Sequence, residues 1–502
     1  MTPLELLVIV GYAALLSVLT VFGIHRYGMT FLFFRHRYKL ATPLCRFEEL
    51  PLVTVQLPIY NELYVAERLL EAVARLDYPR ERLEVQVLDD STDETRSIAR
   101  ACVERLRRGG LDIVYLPRAD RTGFKAGALD RGLRAARGEF VAIFDADFVP
   151  DPAFLRRTIH HFTDGAVGLV QTRWGHLNRT YSALTRAQAV FLDGHFLVEH
   201  LARNRSGRFF NFNGTAGIWR RRAIEESGGW QHDTITEDLD LSFRAQLAGW
   251  RFVYLPDIVT PAELPVDMNA FKLQQHRWAK GAMQCALKLL GPVWRADLPG
   301  AVKREAVMHL TANLAYLVVI PLAILLPITT ALRSSHGPYE VLLVDVPLFA
   351  AATLSVVSFY VVGQRAQGYS FWDSVKPLPL VMALGIGLSV NNARAVVEAL
   401  MGYQTGFVRT PKHGVRTRRE RAARPLYHTA ATLQPVVELV LAAYMTYAVV
   451  YFLERGIYSA IPFLVLFQVG FGYVGLVSVY EGVRGWVSRW VKLLSPTAAG
   501  PE

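Results

Sequence analysis

From Leu6 to Ile24 the chain is apolar at nearly every position, about the 20 residues a helix needs to cross the hydrocarbon core of a bilayer. Further runs of that kind lie in the second half, at Val307 to Leu332, Val341 to Gly363, Val436 to Phe452 and Ile457 to Val479. Lipid satisfies no backbone hydrogen bond, so runs of this length fold as helices. The first run lacks both a charged stretch before it and a small-residue cleavage site after it, which argues for a membrane anchor over a signal peptide. His25, Arg26, Arg35, Arg37 and Lys39 come at its end or after it. The positive-inside rule then puts the N-terminus outside and the middle of the chain in the cytosol.

Another apolar stretch, Leu378 to Met401, carries Asn391, Asn392, Arg394 and Glu398, which are costly to expose to lipid. Arg365 before it and the basic run Arg416 to Arg424 after it both belong inside. Parity therefore predicts an interfacial or re-entrant element and five spans, with six as the alternative. The expected division is a membrane helix in 1–30, a cytosolic α/β domain in 48–262 and interfacial amphipathic helices in 263–300. A membrane helix pair (301–365), an interfacial element with a basic loop (366–428), a second pair (429–482) and a cytosolic tail (483–502) complete it.

The net charge of +11 does not point to nucleic acid, because the Lys and Arg residues gather beside the apolar runs, where lipid headgroups account for them. Cys45, Cys102 and Cys285 have neither disulfide parity nor metal-ligand spacing, which suits a reducing cytosol. The Asn-x-Ser/Thr sequons at Asn178, Asn204 and Asn213 fall in the cytosolic domain and are not read as glycosylation sites.

Between Pro51 and about Leu255, short β-rich runs alternate with helical patterns, as in a doubly wound, mostly parallel α/β sheet. Strands are predicted at Leu52 to Leu57, Glu84 to Leu88, Ile113 to Leu116, Phe140 to Phe144 and Val167 to Gln171. Helices are predicted at Glu62 to Leu76 and Lys125 to Ala136. Ligands of such sheets bind beyond the carboxyl ends of the strands. Tyr60, Asn61 and Glu62 follow the first strand, Asp89 and Asp90 the second, and Asp145 and Asp147 the fourth.

Asp145 and Asp147 could both face a hard cation, Mg2+ or Mn2+, shared with substrate phosphates; a solvated turn has the same composition. Lys125 opens a helix beside glycines, where it can neutralise a diphosphate. Thr234 and Glu237 fit a capping box, whereas Asp238 and Asp240 have no such reason to be there, and either could take a proton from an acceptor hydroxyl. Gln274, Arg277 and Trp278 share a helix face that offers an amide, a guanidinium for phosphate and an aromatic platform for a sugar. The same helix also reads as an amphipathic one lying on the membrane.

Asp89-Asp90, Lys125-Ala126-Gly127, Asp145-Ala146-Asp147, Thr236-Glu237-Asp238 and Gln274-Gln275-His276-Arg277-Trp278 occur here in one order. That set resembles the processive family-2 glycosyltransferases of GT-A fold, which include the cellulose synthases, over Leu52 to about Gln284. Phe212 to Gly217 with Gly228-Gly229-Trp230 is most similar to the cellulose-synthase-like mannan and glucan synthases and their bacterial relatives. The resemblance implies a nucleotide-sugar donor, UDP-glucose or GDP-mannose, with Tyr60, Glu62 and Asp90 at the nucleoside and Lys125, Asp145 and Arg277 at the diphosphate. It implies the metal at Asp145 and Asp147, and Asp238 as general base in an inverting, processive transfer to a growing glycan, with translocation of that glycan. Trp174, His176, Glu237, Gln274 and Trp278 would line the acceptor path, and Phe407, Thr410 and Lys412 would belong to a gating loop that closes over nucleotide.

A multi-pass protein of the plasma (inner) membrane is thus expected, with a cytosolic catalytic domain and with membrane lipids, donor and glycan as partners. Transfer of one or a few sugars to a lipid acceptor is the alternative. The tail after Val479 is too short for the cyclic-dinucleotide-binding domain of bacterial cellulose synthases, so that control is not expected in cis.

Overall fold

Seven strands form one sheet in the order β3-β2-β1-β4-β6-β5-β7. They are β1 (Val53–Ile59), β2 (Leu83–Asp89), β3 (Ile113–Pro117), β4 (Phe140–Ile143), β5 (Val167–His176), β6 (Gly217–Arg220) and β7 (Arg251–Ala262). The structure, a computed structural model, describes residues 2–334, 346–403, 406, 409–415 and 433–494, except for the side chains of 346–349 and 488–494. Phe407, the run Arg416 to Arg424 and the start of the predicted span at Val341 lie outside the described residues.

β1 to β4 pair in parallel, while β6 runs antiparallel to both β4 and β5. The sheet is therefore mixed, and β6 and β7 add two strands that periodicity alone did not predict. Register between β1 and β2 is held by buried polar pairs: Thr54 Oγ1 donates to Glu84 Oε2 at 2.5 Å and Gln56 Nε2 to Gln86 Oε1 at 3.0 Å. A slip of one residue would leave these groups unpaired among apolar neighbours. Helices α2 (Ala66–Ala74) and α3 (Thr95–Arg108) cover one face, with Leu69, Val73 and Cys102 packed on Val55 and Val85. The other face meets α4 (Phe124–Ala135). Into that core reach Met29 and Phe33 of α1 (Pro3–His36), so the first apolar helix is anchored in the α/β domain.

Five helices among the described residues are long and apolar enough to cross a membrane: Pro3–His36, Leu314–Ser334, Phe371–Leu400, Gln434–Glu454 and Ile461–Val487. The set includes the stretch predicted to be interfacial, although two-thirds of its apolar window, 67%, is buried inside the protein. Val346–Ala366 is also helical. The three sequon asparagines are spent internally: Asn178 pairs with Leu264, Asn204 with Phe252 and Tyr254, and Asn213 with His195 and His200.

Candidate active site

One edge of the sheet collects the polar motifs, and topology is the reason. β1 and β2 end in register, Ile59 beside Asp89, so Tyr60 and Asp90 emerge together. β4 ends beside them. Because β6 is antiparallel, the loop that enters it, Asn213-Gly214, arrives at the end of β4 that releases Asp145. β5 and β7 finish there too, with His176 opposite Ala262. The result is a cleft of about 1310 Å3, counting the part open to solvent, lined by every residue to which the resemblance gives a role apart from Phe407; Asn61, Asp89, Thr234 and Asp240 do not line it.

At its centre Lys125 Nζ donates to Asp145 Oδ1 at 2.5 Å and to the Gly214 carbonyl at 2.9 Å, with Glu237 Oε1 at 3.9 Å. Burial would lower the Lys125 pKa, but Asp145, Glu237 and Asp238 together raise it, so the ammonium stays charged. Burial raises Asp145 against the pull of Lys125. Asp238 is pushed up to about 7, first by burial and then by Glu237 beside it. Arg277 faces the same three carboxylates, Glu237, Asp145 and Asp238, and Asp147 as well. Gly214 is a position that needs glycine: its φ is +79°, and a Cβ there would lie 3.0 Å from Asp238 Oδ2.

The capping box does not form. Helix α5 (Glu237–Leu247) begins after Thr236 with no side-chain cap, and Thr234 Oγ1 donates to the Thr236 carbonyl instead. Glu237 is thereby free to face Lys125. The preceding loop is docked on helix α6 (Met268–Arg295), where Ile235 N donates to Gln284 Oε1 at 3.0 Å. Gly281 makes that approach possible, since a Cβ there would meet Thr236 at 2.4 Å. Asp240 lies outside the cleft, fully buried and paired with Arg244 and Lys288 at 2.7 and 2.8 Å.

Residues 409–415 enter the cleft from the membrane half. Arg409 Nη1 pairs with Glu62 Oε2 at 2.9 Å and Lys412 Nζ with Asp147 Oδ2 at 2.8 Å. Burial raises Glu62 to about 8, although Arg409 pulls the other way. The buried Glu263, one residue past β7, fastens the segment: its Oε1 accepts from His413 N at 2.9 Å and Gly414 N at 3.0 Å, and its carbonyl from Lys412. Trp174 and Trp278 form an aromatic wall, ring centroids 6.5 Å apart, backed by Phe148 and Phe196. His176 lines the cleft, yet its Nε2 is spent on Asp193 at 3.0 Å.

Sequence reasoning missed Arg118, Arg121 and Glu263. Arg118 grips Asp90 with two nitrogens, Nε at 2.7 Å from Oδ1, so this carboxylate stands in the cleft with its charge compensated. Arg121 stacks on Tyr60, its Cζ 3.3 Å from the ring centroid. Only their place just before Lys125, after β3, was available as a signal.

As for a metal, Asp145 and Asp147 are hard oxygen donors, and a cationic group, the Lys412 ammonium, already stands against Asp147. Among the described residues no cluster of three His, Cys, Asp or Glu forms a closed metal cage. Two carboxylates without a cage fit a cation that also takes phosphate oxygens from a substrate.

Residues 51–281 match the model of the glycosyltransferase-like family 2. Glucomannan 4-beta-mannosyltransferase 7 of Arabidopsis thaliana is 33% identical over 457 residues, which cover 86% of this chain and 78% of that protein. Glucomannan 4-beta-mannosyltransferase 1 of Oryza sativa subsp. japonica is 42% identical over 293 residues, 55% of this chain; the match spans little more than half of that relative, 56%. Among solved structures, a mannosyltransferase of Pyrobaculum calidifontis in complex with GDP-Man and Mn2+ is similar in fold, with a TM-score of 0.52 at 22% identity, covering 78% of this chain and 100% of that one. The sheet, the cleft and these relationships together make the chain a member of the family-2 glycosyltransferases, similar to their cellulose-synthase-like mannosyltransferases, and a hexosyltransferase enzyme.

Proposed function

We propose that the chain transfers mannose from GDP-mannose to the end of a β-linked glycan, with inversion at the anomeric carbon. The observation that carries this reading is the meeting of Lys125, Asp145, Asp147, Arg277 and Asp238 in one cleft. Mannose is favoured over glucose because the curated relatives are named as glucomannan mannosyltransferases.

In this reading Asp238, with its pKa near 7, accepts the proton of the acceptor hydroxyl as that oxygen attacks the anomeric carbon. The bond to the diphosphate breaks on the opposite face, and Lys125 and Arg277 bind the departing charge. Asp145 and Asp147 would hold Mg2+ or Mn2+, which supplies charge neutralisation at the diphosphate. Tyr60, Glu62 and Asp90 border the nucleoside, Arg409, Thr410 and Lys412 close over it, and Trp174, Trp278, Gln274 and His176 flank the acceptor. The apolar helices support a multi-pass membrane enzyme. In this reading the cleft faces the cytosol with the N-terminus outside, as the basic residues after the first helix suggest, and the product, grown processively, passes between the helices.

The test is a donor panel with purified protein, a manno-oligosaccharide acceptor and Mn2+ or Mg2+. Mannosyl transfer that gives β-linked products of several added residues and stops in EDTA is expected. Transfer from UDP-glucose alone would overturn the donor, single additions would overturn processivity, and a strict need for a lipid acceptor would favour glycolipid synthesis.

A further inference from the structure

We propose that a groove at the cytosolic-side end of α1, separate from the cleft, binds a phosphate-bearing anion, with the headgroup of an anionic membrane lipid as its favoured source. The groove, about 980 Å3 and open to solvent, shares no lining residue with the cleft. Its walls are the segment that leaves α1, the stretch Arg156 to His161, Arg205, and Leu255 to Ile258. The last of these is an excursion of β7: Thr172 pairs with Leu255 and the next residue, Arg173, with Val259, so Pro256 to Ile258 bulge out of the ladder.

Arg205 is the decisive residue. It is only 8% exposed; its Nη2 donates to the Tyr254 carbonyl at 3.2 Å, while its Nε is buried with no hydrogen-bond partner among the described residues. No ion pair forms on it among the described residues, and a buried guanidinium without a paired counter-charge is costly unless an anion arrives. Arg46 and Arg157 add exposed guanidinium groups that also lack an ion pair among the described residues. Arg156 is paired with Asp77 at 2.8 Å, and Asp257 is the lone carboxylate among the lining residues. His161 is pushed down to about 4 by burial first and then by Arg205 and His160, so it offers hydrogen bonds and no charge near neutral pH. A phosphate oxygen pair matches this donor set, because guanidinium groups bind phosphate in a two-pronged fashion.

Position argues for lipid. Leu40 lines the groove just after the last turn of α1, which carries Arg35 and His36. Tyr38, Leu40 and Leu44 are 79%, 71% and 74% exposed, placing apolar side chains at the lip of a basic hollow beside the end of an apolar helix. A lipid headgroup with its glycerol and first methylenes satisfies both.

The test uses the full chain in detergent and in nanodiscs of phosphatidylcholine with or without phosphatidylglycerol, read by native mass spectrometry. Wild type is expected to retain phosphatidylglycerol, and Arg46→Gln/Arg157→Gln, changed only at exposed positions, to retain it at least fivefold less; Arg205→Gln should do the same. A second arm titrates inorganic phosphate and pyrophosphate in a thermal-shift assay. Stabilisation by these that the double variant loses, without lipid retention, would support the site and assign it to a soluble phosphate. Equal lipid retention and equal phosphate response in wild type and all variants would overturn the proposal.

Discussion

Asp238 and Asp240 stand two residues apart on the first turn of α5 in opposite surroundings. Asp238 faces the cleft with Glu237 and Lys125, whereas Asp240 is locked between Arg244 and Lys288. A base must be ionised to accept a proton, and the Asp238 pKa is raised to about 7. The rate kcat/KM should therefore fall as pH drops below about 7, up to tenfold per unit, and level off above it. Asp238→Asn should remove that limb and lower kcat by about 10²- to 10⁴-fold while GDP-mannose binding by calorimetry persists. Asp240→Asn should do the reverse: activity per folded molecule stays within a few-fold, and the unfolding free energy drops by about 3 kcal/mol because two cations are left beside a neutral amide. Local spacing could not separate these two carboxylates, since both sit at a helix start; only the partners brought by α6 and by the helix body do so.

At the scale of elements, the segment 409–415 and the strand ends make one closed device. Lys412 on Asp147 and Arg409 on Glu62 neutralise carboxylates that a cation and a nucleotide would otherwise meet. Lys412→Met should thus tighten Mn2+ binding to nucleotide-free protein by about tenfold, near 1.4 kcal/mol, in a spectroscopic Mn2+ titration. Unchanged affinity would mean that Asp147 is no Mn2+ ligand or that Lys412 leaves it at no cost. Much of this device was legible in the sequence. Asp90, Asp145 and Asp147 each follow a β-rich run, and Gln274, Arg277 and Trp278 keep helical spacing. Glu263 was not legible, because its value comes from partners about 150 positions away. β7 escaped for a different reason: it carries the Pro256 to Ile258 bulge that breaks its alternation.

At the scale of the whole molecule, α6 joins the cleft to the membrane half. Gln274, Arg277 and Trp278 line the cleft, while Lys272, His276 and Lys280, spaced four apart, meet carboxylates of the apolar helices. Lys272 pairs with Glu438 at 2.6 Å, His276 and Lys280 pair with Glu398 at 3.1 Å, and Glu481 accepts from Met268 N and Asn269 N at the start of α6. Both Lys272 and Glu438 are buried, so neutralising one leaves an uncompensated charge that costs about 3 kcal/mol or more, whereas removing both is far milder. Because Arg277 and Trp278 ride on the same rigid helix, a shift of α6 at Lys272 also displaces them within the cleft. Glu438→Gln should therefore lower the unfolding midpoint, lower kcat and shorten the products, and Glu438→Leu with Lys272→Met should recover most of the stability in a double-mutant cycle. If the pair merely glues helices together, the double variant will recover chain length along with stability; if it sets the position of α6, products will remain short although the protein is stable again.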